Sequence, residues 1–197
     1  MSTEQEYWEK RYQNKETGWD LGTVSPPIKK YVDQLEDLNI SILIPGCGNA
    51  YEANYLLDKG FTNITVIDIS PSLVEQLKSS FNSDQRKRIK IICGDFFEMH
   101  GQFDLIIEQT FFCAIPPKLR KDYCKKMHEL LKTKGKLIGL LFNRSFENNP
   151  PFGGSIDEYD QLFAPYFNII TMESCYNSIE PRQGSELFIQ MTKRSIE

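Results

Sequence analysis

At 197 residues the chain is long enough for one α/β domain and too short for two comfortable ones. Hydrophobic residues make up 40% and charged residues 25%, a globular balance that argues against disorder. The net charge of −4, with no basic block longer than Arg86-Lys87-Arg88, argues against a phosphate-tracking surface for DNA or RNA.

Taken in chain order, the polar, acidic opening MSTEQEYWEKRY reads as neither a signal nor a transit peptide. Two helical pieces follow, Thr3–Gln13 and Pro27–Asp37, with a turn-rich loop between them that carries Trp19. Tyr7 reads as a packing residue that pins the first helix to the core. The strand candidates are Ser41–Pro45, Ile64–Asp68, Ile89–Cys93, Phe103–Glu108 and Lys136–Phe142. The first of these are short and nearly continuous in Ile, Val and Leu, as strands covered on both faces are. Helices alternate with them. One begins near Asn49; Ser70-Pro71, an N-cap followed by a first-turn proline, opens one through about Phe81.

Another helix starts at Pro117, carries Leu119, Tyr123, Met127 and Leu130 at three- and four-residue spacings, and is expected to end near Gly135 after a lysine run. Ser155-Ile-Asp-Glu158 is a capping box for a helix to about Phe163. Late strands at Phe167–Met172 and Glu186–Met191 close the chain. The alternation predicts one α/β domain, a Rossmann-like, seven-stranded, mostly parallel sheet with helices on both faces. Residues 1–37 would form an N-terminal helical cap or lid, and residues 38–197 the core.

Five cysteines form no C-x-x-C pair and no metal-like spacing with His100 or His128, so no metal site is expected. Scattered thiols suit a reducing compartment, and no apolar run is long enough to cross a bilayer. The expectation is a cytoplasmic protein with no membrane partner, and a monomer.

The chemistry gathers at successive strand ends. Gly46-Cys47-Gly48 follows the first strand, and its glycines allow a sharp turn and close approach to a ligand. Asp68 ends the second strand, 20 residues beyond Gly48, where a carboxylate can accept both ribose hydroxyls of a nucleoside cofactor. Gly94-Asp95-Phe96 follows the third strand; Asp95 can accept from an adenine amino group while Phe96 packs on the ring. Tyr51 stands where a dinucleotide fingerprint needs its third glycine, so a pyrophosphate is not accommodated and NAD is disfavoured. S-adenosylmethionine, which carries no phosphate, fits. The aromatic residues Trp8, Tyr12 and Trp19 precede this unit and suit a sulfonium cation.

These residues carry a resemblance. Tyr7-Trp8-Glu-Lys-Arg-Tyr12, Gly18-Trp19-Asp-x-Gly, Ile-Pro-Gly46-Cys-Gly48, Val-Ile-Asp68-Ile-Ser70, Phe111-Phe-Cys-Ala-Ile, Pro150-Pro-Phe and Arg182-x-Gly-x-Glu span nearly the whole chain. Together they resemble the thiopurine S-methyltransferase superfamily, and within it the plant-type halide and thiol methyltransferases. The resemblance implies a class I methyltransferase fold and S-adenosylmethionine-dependent transfer to a small soft nucleophile: a thiol, halide or thiocyanate. It implies cofactor contacts at Trp8, Trp19, Gly46, Asp68, Asp95, Phe96 and Gln109; Tyr12, Gly48 and Ile69 complete the candidate set. A lid is implied from the N-terminal segment and residues 143–154.

Three positions depart from the plant-type pattern. Tyr12 replaces a tryptophan, and Gln109 and Phe142 each replace a tyrosine. Arg182 is the candidate for orienting an anionic acceptor, with a solvated loop arginine as the alternative. Another acceptor, oxygen or nitrogen, and a non-catalytic cofactor-binding paralogue are the competing functional readings. Asn149-Pro-Pro-Phe152 matches a tetrapeptide of amino methyltransferases. It falls after the fifth strand rather than the fourth, and so reads as a rigid loop over the pocket.

Overall fold

The computed structural model describes residues 3–195. Strands β1 (Ile42–Pro45), β2 (Ile64–Asp68), β3 (Ile89–Cys93), β4 (Phe103–Gln109), β5 (Leu131–Phe142), β6 (Phe167–Ser174) and β7 (Glu186–Lys193) form one sheet in the order β3-β2-β1-β4-β5-β7-β6. The first five pair in parallel, while β7 runs antiparallel between β5 and β6. The helices are α1 (Thr3–Gln13), α2 (Pro26–Val32), α3 (Tyr51–Asp58), α4 (Pro71–Ser80), α5 (Ser83–Arg86), α6 (Arg120–Leu130) and α7 (Ile156–Phe163).

Side chains alternate across the sheet, so each strand feeds two cores. Ile42 and Ile44 of β1 join Leu105, Ile107 and Ile138 against α2, α3 and α4. Leu43 and Ile106 face the other way, with Leu137, Leu141 and Ile189, against Tyr123 and Met127 of α6 and Phe163 of α7. Both faces are covered, which explains the nearly unbroken apolar runs of β1 and β2.

The sequence misplaces several boundaries. Helix α6 stops at Leu130 and β5 begins at Leu131, so Gly135 is a strand residue and not a helix terminator. The register between β4 and β5 shifts there, Lys134 takes φ +65°, and a Cβ at Gly135 would lie 3.0 Å from the Phe103 carbonyl. A glycine is needed for backbone approach, and the lysine run that suggested a helix end lies on an irregular strand. Helix α2 ends at Val32, five residues short of expectation, where the Asp33 carboxylate bonds the Tyr55 hydroxyl and the Lys59 ammonium, each at 2.5 Å. Helix α3 starts at Tyr51 because Ala50 takes a left-handed φ of +56°. The short α5, with its Asn82–Gln85 capping box, is an addition.

The expected caps are partly as drawn. The Ser70 hydroxyl accepts from the Leu73 N–H at 3.4 Å, opening α4. Ser155 accepts from the Glu158 N–H at 3.3 Å, but the Glu158 carboxylate binds Arg120 at 2.6 Å rather than completing the box. Among the described residues no helix is long and apolar enough to cross a membrane.

Candidate active site

In a doubly wound sheet the crevice lies outside the carboxyl ends of the strands, where strand order reverses. Here that point is between β1 and β4, and a cavity of about 240 Å³ opens there. The chain after β1 turns over it through Gly46 (φ +55°) and Gly48 (φ +51°). A Cβ at Gly46 would lie 2.2 Å from the Phe111 ring, so the turn and the aromatic wall can meet only at a glycine.

Asp68, at the end of β2, is buried in the cavity wall. Its Oδ2 accepts from the Gly48 N–H and its Oδ1 from the Ser70 N–H, each at 3.1 Å. Burial raises the carboxyl above the ordinary range, opposed by the N–H groups of Ser70 and Gly48. At the end of β3, Asp95 Oδ1 accepts from the Phe97 N–H at 2.8 Å. Phe96 is buried edge-on to Phe111, with centroids 5.1 Å apart, and both rings line the cavity. Phe97 lines it too, a residue the sequence did not single out.

The N-terminal segment supplies the next part of the lining. Trp19 stands at the centre of an aromatic group, perpendicular to Trp8 at 5.4 Å and to Tyr12 at 5.7 Å. All three line the cavity. What anchors α1 is not Tyr7, which is exposed and bonds only within its own helix. Glu9 does so. Its Oε2 accepts from the Ser70 hydroxyl at 2.6 Å and the Ser72 N–H at 3.2 Å, at the positive end of α4. Burial opposes the Glu9 charge, but the bonds from Ser70, Ser72 and Gln13 outweigh it and hold the carboxyl below its usual range. Ile69 completes this corner; its carbonyl accepts from Gln5 Nε2 at 3.2 Å.

The strand end of β4 supplies the far wall. Gln109 lines the cavity, and both polar atoms of its amide are buried without a protein partner. Buried amides are rarely left so, and a bound ligand would satisfy them. Glu108, just behind it, is fully buried; Oε1 accepts from the N–H groups of Phe111 and Phe112, each at 2.8 Å, and Oε2 from the Tyr123 hydroxyl at 2.5 Å. It thereby fixes the turn that carries Gln109, Phe111 and Cys113. Burial pushes this carboxyl up to about 7, against the pull of Tyr123, Phe112 and Phe111.

A carboxyl with a raised folded-state pKa binds its proton more tightly in the native state. Its contribution to stability is therefore fully present below the ordinary value of 4.5 and is lost as pH rises to about 7. Glu108→Gln can keep all three bonds, its amide oxygen accepting from both N–H groups and its NH₂ donating to Tyr123. Urea unfolding of both proteins at pH 5 and pH 8 is expected to show the variant gaining on the wild type at the higher pH; parallel profiles would reject the assignment.

Two arginines were read differently from sequence or missed. Arg182 is buried and does not line the cavity. Its burial rules out the solvated loop residue, and its place outside the lining gives no support to the expected role of orienting an anionic acceptor. Its guanidinium donates to the Trp19 carbonyl at 2.7 Å, the Thr110 hydroxyl at 3.1 Å and Glu186 at 3.2 Å, over the Phe142 ring. These partners draw the side chain inward and join the loop after α1, the β4 turn and β7. Arg120, unremarked in the sequence, is buried on α6 and donates to the carbonyls of Phe152 (3.2 Å) and Gly153 (2.8 Å). It holds the loop whose Pro150 and Pro151 line the cavity. A basic residue among lysines on an amphipathic helix offered no signal of this. His100 is exposed, and His128 packs beside Tyr166 and Phe167 with a ring nitrogen 2.7 Å from the Arg194 carbonyl.

The lining suits S-adenosylmethionine on its own chemistry. The glycine turn leaves room for close approach, the carboxylates suit a sulfonium and an ammonium, and the Gln109 amide awaits a partner.

Solved structures share the architecture. A 1,6-didemethyltoxoflavin N1-methyltransferase of Burkholderia thailandensis, solved with S-adenosylhomocysteine, superposes with a TM-score of 0.77 at 16% identity, covering 97% of this chain and 87% of that one. A TehB-like S-adenosylmethionine-dependent methyltransferase of Corynebacterium glutamicum matches at 0.67 and 16% identity, covering 96% and 98%. The fold is that of the Rossmann-like class I methyltransferases, with a seven-stranded mixed sheet. The family model described as Thiopurine S-methyltransferase matches residues 3–195, and the chain belongs to that family of S-adenosylmethionine-dependent methyltransferases. A probable thiol methyltransferase of Arabidopsis thaliana is 33% identical over 95% of this chain and 85% of its own. A thiocyanate methyltransferase of Brassica oleracea is 30% identical over 91% and 81%.

Proposed function

We propose that this enzyme methylates a small soft nucleophile: a thiolate, a halide or thiocyanate. The carrying observation is the lining contributed from the end of β4 onward. Phe111, Ala114, Ile115, Pro116, Leu119, Pro150 and Pro151 make that part of the cavity apolar, with Gln109, Thr110 and Cys113 as its polar members. Such a chamber suits an acceptor that is already anionic and polarisable, and so needs no proton removed during transfer. The relatives named for thiol and thiocyanate methylation support the same class.

S-adenosylmethionine, when bound, supplies the methyl group on a sulfonium. The chain's own contribution is then alignment and exclusion of water, with orientation alone capable of roughly 7–11 kcal/mol. In this reading Asp68 holds the ribose, Asp95 and Phe96 the adenine end, and Trp8, Tyr12 and Trp19 face the sulfonium. Gly46, Gly48 and Ile69 shape the backbone cradle, and Gln109 meets the ligand between cofactor and acceptor. Burial pushes the Cys113 thiol up to about 12 and the Cys47 thiol well above its usual value. Both stay protonated at neutral pH and leave the methyl group to the incoming acceptor. Five unbridged cysteines, four of them buried, support a reducing cytoplasmic setting, and we take the enzyme to act as a monomer.

The test is formation of S-adenosylhomocysteine by the purified protein, with iodide and an aromatic thiol compared under matched conditions. Faster turnover of iodide would indicate a small dry chamber, and of the thiol a wider one. Confirmed cofactor binding with product from neither would remove the proposed acceptor class and leave an oxygen or nitrogen acceptor, or a non-catalytic paralogue.

A further inference from the structure

Charge is distributed unevenly around the cavity. Its lining includes the carboxylates of Glu4, Asp20, Glu52, Asp68 and Asp95, and among the described residues a single cationic side chain, Arg11. The bound cofactor carries two positive groups, the sulfonium and the α-ammonium, and one negative group, the α-carboxylate. The acidic wall suits the first two. It repels the third, and only Arg11 offers that group an opposite charge.

Arg11 is also prepared for such a partner. It sits in the last turn of α1, with its guanidinium 5.0 Å over the Trp19 ring and 5.7 Å from the Tyr7 ring. Nε donates to the Glu16 carbonyl at 3.2 Å and Nη1 to the Tyr7 hydroxyl at 3.0 Å. Those partners are neutral: among the described residues no carboxylate lies within salt-bridge distance of it. The guanidinium is thus held in place by aromatic faces and two neutral acceptors while its charge stays uncompensated at the cavity wall. Its planar fork matches a carboxylate.

We infer that Arg11 binds the α-carboxylate at the amino-acid end of the cofactor. Because Arg11 belongs to α1 and rests on Trp19, this contact ties the occupied cavity to the lid. Cofactor binding and ordering of the lid then share one ion pair.

Two ligands separate this role from a general effect on the lid. S-adenosylhomocysteine carries the amino-acid end, and 5′-methylthioadenosine has the same nucleoside and thioether sulfur without it. Titration calorimetry of the wild type, Arg11→Gln and Arg11→Lys with both ligands gives the answer. Arg11→Gln is expected to weaken S-adenosylhomocysteine by about 10- to 100-fold and to leave methylthioadenosine within about 2-fold. Arg11→Lys should recover part of the loss. Equal weakening of both ligands would make Arg11 only a support for the lid, and unchanged affinity for both would place the carboxylate elsewhere; either outcome overturns the inference. Failure of the wild type to bind either ligand would instead strike the cofactor reading itself.

Discussion

Replacing Asp68 by alanine is expected to weaken S-adenosylhomocysteine binding by about 10- to 100-fold, the loss associated with removing a hydrogen bond to a charged group. The carboxylate is buried at the carboxyl end of β2, with one N–H bond on each oxygen from Gly48 and Ser70. Those two bonds fix its orientation and leave each oxygen capacity for a further donor, as two ribose hydroxyls require. Its charge is costly without a ligand, which is why burial raises the carboxyl; hydroxyl donors would favour the ionised form. Binding should therefore weaken as pH falls through the carboxyl's titration. Asp68→Asn should lose affinity as well, since its NH₂ would confront one of the two N–H donors. Titration calorimetry, with circular dichroism as the check on folding, measures the effect. An unchanged affinity for either variant would remove Asp68 from the cofactor site.

Much of this arrangement is legible in the sequence because it is local. A glycine turn, a carboxylate at a strand end and a serine–proline helix start each declare themselves within a few residues, and Gly46, Asp68 and Ser70 stand where those patterns put them. The sheet was legible for the same reason: apolar runs as short as Ile42–Pro45 admit few alternatives when helices separate them. What stays hidden depends on partners far along the chain. Glu9 bonds a serine 61 positions away, and Arg120 reaches a carbonyl 33 positions away. No periodicity distinguishes such a charge from its solvated neighbours, because the spacing that matters is spatial. The helix boundary at Leu130 failed differently. A lysine run followed by a glycine satisfies the rule for a helix end, but tertiary pairing of β5 with β4 and β7 overrides it.

Arg182 shows how far that distinction alters a functional reading. As an arginine in a late loop it invites the role of anion-binding group, yet its guanidinium spans the Trp19 carbonyl, Thr110 and the buried carboxylate of Glu186. Arg182→Met leaves that carboxylate buried and unpaired, a change that costs about 3–5 kcal/mol. For a chain of this length the melting temperature should fall by roughly 10 °C. Turnover should fall equally with iodide and with an aromatic thiol, because the loss acts through the lid and the β4 turn. The double variant Arg182→Met, Glu186→Leu separates the two consequences. Removing the stranded carboxylate should restore most of the stability, while the Trp19 carbonyl still lacks its donor and turnover stays low. Recovery of turnover together with stability would make Arg182 a fold residue only. A loss confined to the thiol, measured at a temperature where the single variant is folded, would return it to the acceptor site.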